Sequence, residues 1–324
     1  MQARLKKQEN IHALVLSLGL KYQNFTIAGG NARCLAMLEA FKKVIADYST
    51  PPGNSLPRHL PSVISKQVDL LSNTRTLAAS MKTAIRELKK EISVIPVDAT
   101  DENAKERLFQ FIDTFQKERI ETAGAYIAHE AVDTDKIQDG DVILTYGRSS
   151  TVLNTLLYAH MYGRNFKVIV ADGRPKLEGK EMLKSLVKAG INCGYATCTA
   201  VPMLMPEVSK VIIGASAVLA NGAILSRVGT AVVCNAAKER QVPVIVLCES
   251  YKFLDETRLD SFTWNEIAGE NNSTLATWRS IDPLKLLNLH YDVTPAHFIT
   301  ALLCEHGLVP STVALNVTRF AAER

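Results

Sequence analysis

Three glycine-containing loops carry the residue types from which a small-molecule site is built. In the first, Gly147-Arg148-Ser149-Ser150-Thr151, small residues let backbone N–H groups approach an anion with the Arg148 guanidinium beside them. The same turn is equally compatible with a plain helix N-cap. It has neither the dinucleotide spacing G-x-G-x-x-G nor the Walker pattern, and it is not a G-x-S-x-G nucleophile elbow. The second loop, Asp172 to Gly179, brings Asp172, Arg174 and Glu178 within reach of one ligand region, as reactive groups or as an internal ion pair. The third, Gly214 to Thr230, has glycines and Asn221 where the backbone must turn tightly, and it contains no acid.

Cysteine and histidine chemistry is poorly supported. None of the 7 histidines sits near a Cys or a carboxylate in a catalytic spacing, and His160 falls on an apolar helix stripe, where packing is its default role. The 6 cysteines are scattered through apolar neighbourhoods and are expected to be reduced and buried. Cys193 and Cys198 form the one close pair, but they lack a second pair or a nearby His, so no metal and no cofactor is expected.

The loops need elements to position them. Up to about Glu130 the apolar residues recur at helical spacing: Cys34, Leu35, Leu38, Phe41 and Ile45 form one stripe, Met81, Ile85, Leu88 and Ile92 a second, and Leu108, Phe111, Ile112 and Phe115 a third. Beyond Gly140 the pattern becomes short β-rich runs: Asp141 to Tyr146, Phe166 to Asp172, Cys193 to Thr197, Lys210 to Ala215 and Val242 to Cys248. Amphipathic segments separate them. Strands apolar on both faces, alternating with helices, require a parallel sheet covered on both sides. The expected fold is therefore α/β: an N-terminal all-helical lobe over residues 1–135, then a Rossmann-like doubly wound parallel sheet over residues 136–324, with a final helix starting at Thr294-Pro295. In such a sheet ligands sit beyond the C-terminal ends of the strands, where the three loops fall.

Composition sets outer limits. The chain has 324 residues, 47% of them hydrophobic, enough for two cores and incompatible with disorder. Its net charge of +4, from 37 basic and 33 acidic residues, is too small to argue for a nucleic-acid binder. Two uncharged stretches, Ala189 to Pro206 and Val211 to Ser226, are broken by Pro, Gly or Asn and read as buried strand and loop rather than membrane spans. No apolar run follows the charged residues of the N-terminus, so no signal peptide is expected and the cytosol is the expected compartment.

The motifs R-P-x-x-E-G from Arg174 and G-A-x5-N-G-x6-G-T from Gly214, together with Asn31 to Phe41, Asp47 to Pro52, Val142 to Ser150, Glu249 to Phe253 and Leu286 to Pro295, carry a resemblance covering nearly the whole chain. The sequence resembles the superfamily of methylthioribose-1-phosphate and ribose-1,5-bisphosphate isomerases, which also contains the regulatory subunits of eukaryotic translation initiation factor 2B. The resemblance implies that the isomerase Cys and Asp positions are Gly147 and Ser216 here, leaving no proton carriers for moving hydrogen between sugar carbons. It also implies a degenerate sugar-phosphate pocket from Arg33, Arg75, Gly147, Arg148, Arg174, Glu178, Ser216, Asn221 and Arg227, in which Arg174 and Glu178 are expected to pair with each other.

What the resemblance implies is a noncatalytic subunit of a guanine-nucleotide exchange complex, assembled with beta, alpha, gamma and epsilon subunits and binding initiation factor 2, above all its phosphorylated alpha subunit. Arg75, Lys82, Arg86, Lys89 and Lys90 put positive charge on one helix side, suited to a phosphorylated acidic partner. Leu16 and Leu18, and Leu287 and Leu289, lie in segments apolar on more than one side and are expected at subunit interfaces. A noncatalytic sugar-phosphate sensor and an aldose–ketose isomerase with rearranged groups are the alternatives.

Overall fold

The structure, a computed structural model, describes residues 11–174, 176–263, 265–266 and 287–313. The chain divides into two compact units, Met1–Glu121 and Thr122–Arg324. The charged N-terminal decapeptide and Leu286, used above, lie outside the described residues.

The first unit is helical: α1 (Ala13–Gln23), α2 (Gly30–Asp47), α3 (Leu56–Thr74), α4 (Ala79–Val94) and α5 (Asp101–Phe115). Met81, Ile85, Leu88 and Ile92 on α4 are all buried, as are Leu38, Phe41 and Ile45 on α2 and Leu108, Ile112 and Phe115 on α5. Each such aliphatic side chain, fully removed from water, contributes about 2 kcal/mol before entropy is counted. Helix α5 starts where Thr100 Oγ1 accepts from the Asn103 N–H, with Asp101 and Glu102 placed against the positive end of the helix dipole. A π-helical turn, Gln116–Thr122, follows it.

The second unit opens with α6 (Ala123–Asp133), which periodicity alone groups with the helices before it. Its buried residues Ile127, Ala131 and Val132 join the core of the sheet, so the division falls ahead of this helix rather than near residue 135. A seven-stranded sheet follows, in the order β11-β10-β7-β4-β1-β2-β3. Its strands are β1 (Val142–Tyr146), β2 (Lys167–Asp172), β3 (Asn192–Thr197), β4 (Lys210–Gly214), β7 (Val244–Leu247), β10 (Ala301–Cys304) and β11 (Gly307–Val309). All neighbours are parallel except β10 and β11, and the connecting helices are α7 (Ser150–Met161), α8 (Gly179–Lys188), the short α9 (Val201–Leu204) and α10 (Thr230–Glu239). Side chains alternate between two cores: on β7, Val244 and Val246 pack with Val233 and Cys234 of α10, while Ile245 and Leu247 pack with Leu156 of α7 and Met182 of α8.

A second sheet of four strands, β8-β5-β6-β9, was not expected. Its members are β5 (Ala217–Leu219), β6 (Ile224–Arg227), β8 (Phe253–Leu254) and β9 (Tyr291–Thr294). Strand β9 occupies the place where a last helix was expected to begin. Thr294 is buried at its end, and Pro295, with ψ 145°, leads only into a single 3₁₀ turn, Ala296–Phe298, before β10. Strand pairing of Ile224 with Thr294 overrides the local N-cap signal. Among the described residues no helix is long and apolar enough to cross a membrane.

Candidate functional site

The loops after β1, β2 and β6 converge on one cleft in the second unit, lined by Tyr146, Gly147, Asp172, Gly173, Arg174, Lys176, Glu178, Arg227, Val228 and His290. Its first wall is the end of β1. Gly147 takes a φ of +61°, open to glycine, and its N–H donates to Ala171 O at 2.8 Å, tying the β1 and β2 loops together. The Tyr146 hydroxyl donates to Val228 O at 2.6 Å and fills the space between Gly173 and Gly229, where a Cβ on either glycine would overlap it. Burial pushes the Tyr146 pKa above its ordinary value, so this hydroxyl stays protonated.

The second wall is an ion pair. Arg227, at the end of β6, donates from Nε to Glu178 Oε2 at 2.6 Å and from Nη2 to Glu178 Oε1 at 2.8 Å. This is the bidentate fork that a guanidinium offers any carboxylate or phosphate. Both side chains are about one-fifth exposed, at 19% and 21%. The Arg227 guanidinium also lies over the Tyr291 ring, 5.0 Å from its centroid, and its Nη1 is buried without a hydrogen-bond partner among the described residues. Burial opposes the charge, but Tyr291 and Glu178 more than offset it, so Arg227 is held above its usual pKa. The expected Arg174–Glu178 pair is thus replaced: Glu178 turns to an arginine 49 residues away, while Arg174 is exposed in its loop. Space remains for about one water molecule.

Beneath the cleft, Asp292 on β9 caps α10, its Oδ2 accepting from Gly229 N at 2.7 Å and Ala231 N at 3.0 Å. Desolvation raises its pKa from 3.8 to about 6 despite those backbone bonds. Asp172 accepts from Gly173 N at 2.9 Å and from the Tyr195 hydroxyl at 3.0 Å, so both its oxygens are engaged. Tyr146, Tyr291 and Asp292 were not selected from sequence. For Tyr146 the signal is the motif Val142 to Ser150, and for Tyr291 and Asp292 it is the motif Leu286 to Pro295, whose strand the local pattern hides.

The remaining candidates fall elsewhere. Ser216 and Asn221 belong to the β5–β6 hairpin: the Ser216 N–H donates to Leu225 O at 2.8 Å, and Asn221 Oδ1 accepts from Ala223 N at 3.2 Å. Arg148 is exposed beside the Ser149 cap of α7. Arg33 and Arg75 are buried in the helical unit, Arg33 donating to Thr76 O at 2.6 Å and Arg75 stacking over Phe25 at 4.0 Å. Arg75 therefore adds nothing to the exposed basic side of α4. There, Arg86 and Lys90 are exposed, Lys82 is half-buried, and Lys89 donates to Ser65 Oγ at 2.9 Å. Leu16 and Leu287 are exposed, Leu289 is half-buried, and Leu18 is core, at 7% exposure, because α1 turns it toward its neighbours. All six cysteines are free, and among the described residues no group of three or more His, Cys, Asp or Glu could hold a metal ion.

Comparison with known proteins places this geometry in context. The chain is 47% identical to translation initiation factor eIF2B subunit delta of Schizosaccharomyces pombe, over 94% of this chain and 68% of that protein. It is 40% identical to the Dictyostelium discoideum protein of the same name, of which it spans half the length. Ribose 1,5-bisphosphate isomerase of Pyrococcus furiosus is 30% identical over 94% of this chain and 93% of the isomerase. Among solved structures, a chain of the tetrameric eIF2B-beta2-delta2 complex from C. thermophilum superposes with a TM-score of 0.84 at 36% identity, covering 94% of both chains. The sequence pattern of the initiation factor 2 subunit family matches residues 26–311, and the chain belongs to that family.

Proposed function

We propose that this chain is a noncatalytic regulatory subunit of the guanine-nucleotide exchange complex acting on initiation factor 2, equivalent to subunit delta of factor 2B. The observation that carries this reading is the Glu178–Arg227 fork: a largely buried arginine of the cleft is bound to the chain's own carboxylate. By the resemblance, Gly147 and Ser216 stand where the isomerases carry a thiol and a carboxylate, and neither residue supplies a group that exchanges protons near neutral pH. The likeness to the delta proteins supports a scaffold whose surfaces do the work, assembled with beta, alpha, gamma and epsilon subunits in the cytosol without membrane or direct nucleic-acid contact. Exposed Leu16 and Leu287 are the apolar residues offered to those subunits, and Lys82, Arg86, Lys89 and Lys90 on α4 receive the phosphorylated alpha subunit of factor 2.

Native mass spectrometry of the chain coexpressed with the four other subunits tests the assembly, and GDP release from factor 2 tests its role. Incorporation, with inhibition by phosphorylated factor 2 that is relieved by Arg86→Glu and Lys89→Glu, is the expected result. Isomerisation of ribose 1,5-bisphosphate by the chain alone at enzyme-like rates would overturn the proposal. The identity with the archaeal isomerase favours a second reading as an aldose-phosphate isomerase. A melting temperature unmoved by sugar phosphates counts against it.

A further inference from the structure

Helices α6 and α7 pack against each other, and their outward sides form one aromatic face. On α6, Tyr126, His129, Glu130 and Asp133 recur at helical spacing, and on α7 and its C-cap the corresponding residues are Asn154, Tyr158, Met161 and Tyr162. The rings join across the two helices: His129 and Tyr158 have centroids 6.2 Å apart, and Tyr158 stacks on Tyr162 at 6.0 Å with an interplanar angle of 21°. Tyr126 is 47% exposed, Tyr162 62% and Met161 85%. Water is a poor solvent for such a run, and Tyr and Met are the residues enriched where proteins meet.

The charge on this face is one-sided. In a chain of net charge +4, neither α6 nor α7 contains a Lys or Arg, whereas α6 carries Glu130 and Asp133. Arg164, two residues beyond Tyr162, is neutralised by Asp135 at 3.0 Å. His129 Nδ1 lies 3.2 Å from Asp133 Oδ2, Asp133 itself is exposed, and Glu130 is half-buried one helical position from His129. Ring faces attract cations through their quadrupole, and carboxylates beside them repel phosphate and attract guanidinium.

We propose that this face docks an arginine-rich segment of a partner protein, with guanidinium groups stacked on Tyr126 and Tyr162 and paired to Glu130 and Asp133. The partner is a polypeptide rather than a nucleic acid or an anionic lipid, because both carboxylates oppose phosphate. Arginine is favoured over lysine, because a planar cation stacks and forks where an ammonium does neither. The proposal does not depend on the cleft or on the basic side of α4.

The test uses the intact chain and a labelled oligo-arginine peptide in fluorescence anisotropy, with oligo-lysine and oligo-glutamate peptides of equal length beside it. Oligo-arginine should bind best and oligo-glutamate not at all. The exposed pair Tyr126→Ala with Tyr162→Ala should weaken binding about tenfold. Glu130→Gln with Asp133→Asn should weaken it and flatten its salt dependence. Tyr162→Leu keeps the bulk but loses the ring, and it should behave as Tyr162→Ala; thermal melts confirm that each variant is folded. No oligo-arginine binding, equal affinity in the tyrosine variants, full affinity in Tyr162→Leu, or displacement of the peptide by a single-stranded oligonucleotide at this face would overturn the proposal. So would a self-association that Tyr162→Ala abolishes, which would make the face a contact between copies.

Discussion

Replacing Glu178 by Ala is the sharpest probe of the cleft. The change removes two charge-assisted bonds, at 2.6 and 2.8 Å, and leaves Arg227 with three donor atoms unmatched, because Nη1 already lacks a partner among the described residues. Breaking a fully buried pair from one side costs about 3–5 kcal/mol, since the orphaned charge keeps its desolvation penalty. Here both partners are about one-fifth exposed, so water can reach part of the guanidinium, and about 2–3 kcal/mol is expected. Glu178→Gln keeps an acceptor and should cost about half as much. Adding Arg227→Met to Glu178→Gln removes the stranded charge and should recover part of the loss, giving a coupling of about 1–2 kcal/mol. Urea unfolding with an unchanged denaturant slope measures each term. A Glu178→Ala loss below about 0.5 kcal/mol, or no coupling, would show the fork to be a surface pair of no consequence and would remove the observation on which the noncatalytic reading rests.

Asp292 gives a pH-dependent prediction. Its folded pKa of about 6 lies above the ordinary 3.8, so between those values the folded chain holds a proton that the unfolded chain has lost, and stability falls as pH rises. Relative to Asp292→Asn, the native chain should lose about 3 kcal/mol across that window; a constant difference between the two pH-stability curves refutes the assignment. Tyr146→Phe deletes the buried bond to Val228 O and should cost about 1–2 kcal/mol in the same unfolding assay, with no loss if the hydroxyl is merely wetted. Gly222→Ala combines a φ of +77° with a Cβ driven into Ser311 O, and should lower the melting temperature by several degrees. An unshifted melt would mean that the hairpin turn yields freely.

How much of this was legible follows from how local each signal is. The central strands of the large sheet were readable because Val, Ile and Leu on both faces of β1, β4 and β7 announce double burial. The small sheet was not: β5 has three residues and β8 two, too few for any period, and β9 ends on a Thr-Pro pair whose local chemistry favours a helix start. The cleft follows the same division. Its loops were identified because topology puts ligand loops at strand ends, yet the partner of Glu178 was misassigned. The resemblance pointed to Arg174 as the neighbouring pocket arginine, while the β5–β6 hairpin carries Arg227 back across the chain. Helix α6 was grouped with the wrong unit because amphipathicity says that a face is buried, not against what.

The Tyr146 hydroxyl between two glycines also bears on how the sequence can drift. Gly229, at a φ of +104°, is bound to glycine by its backbone whatever stands at position 146. Gly173 has no such constraint, and what excludes a larger residue there is the tyrosine oxygen, with Val228 O at ordinary contact distance. A substitution that shortens Tyr146 therefore opens a vacancy that Ala at position 173 can occupy, so the two positions are free to change together where neither is free to change alone. Residues 146 and 173 form an epistatic pair, and a chain carrying both replacements is expected to be more stable than the sum of its single variants allows.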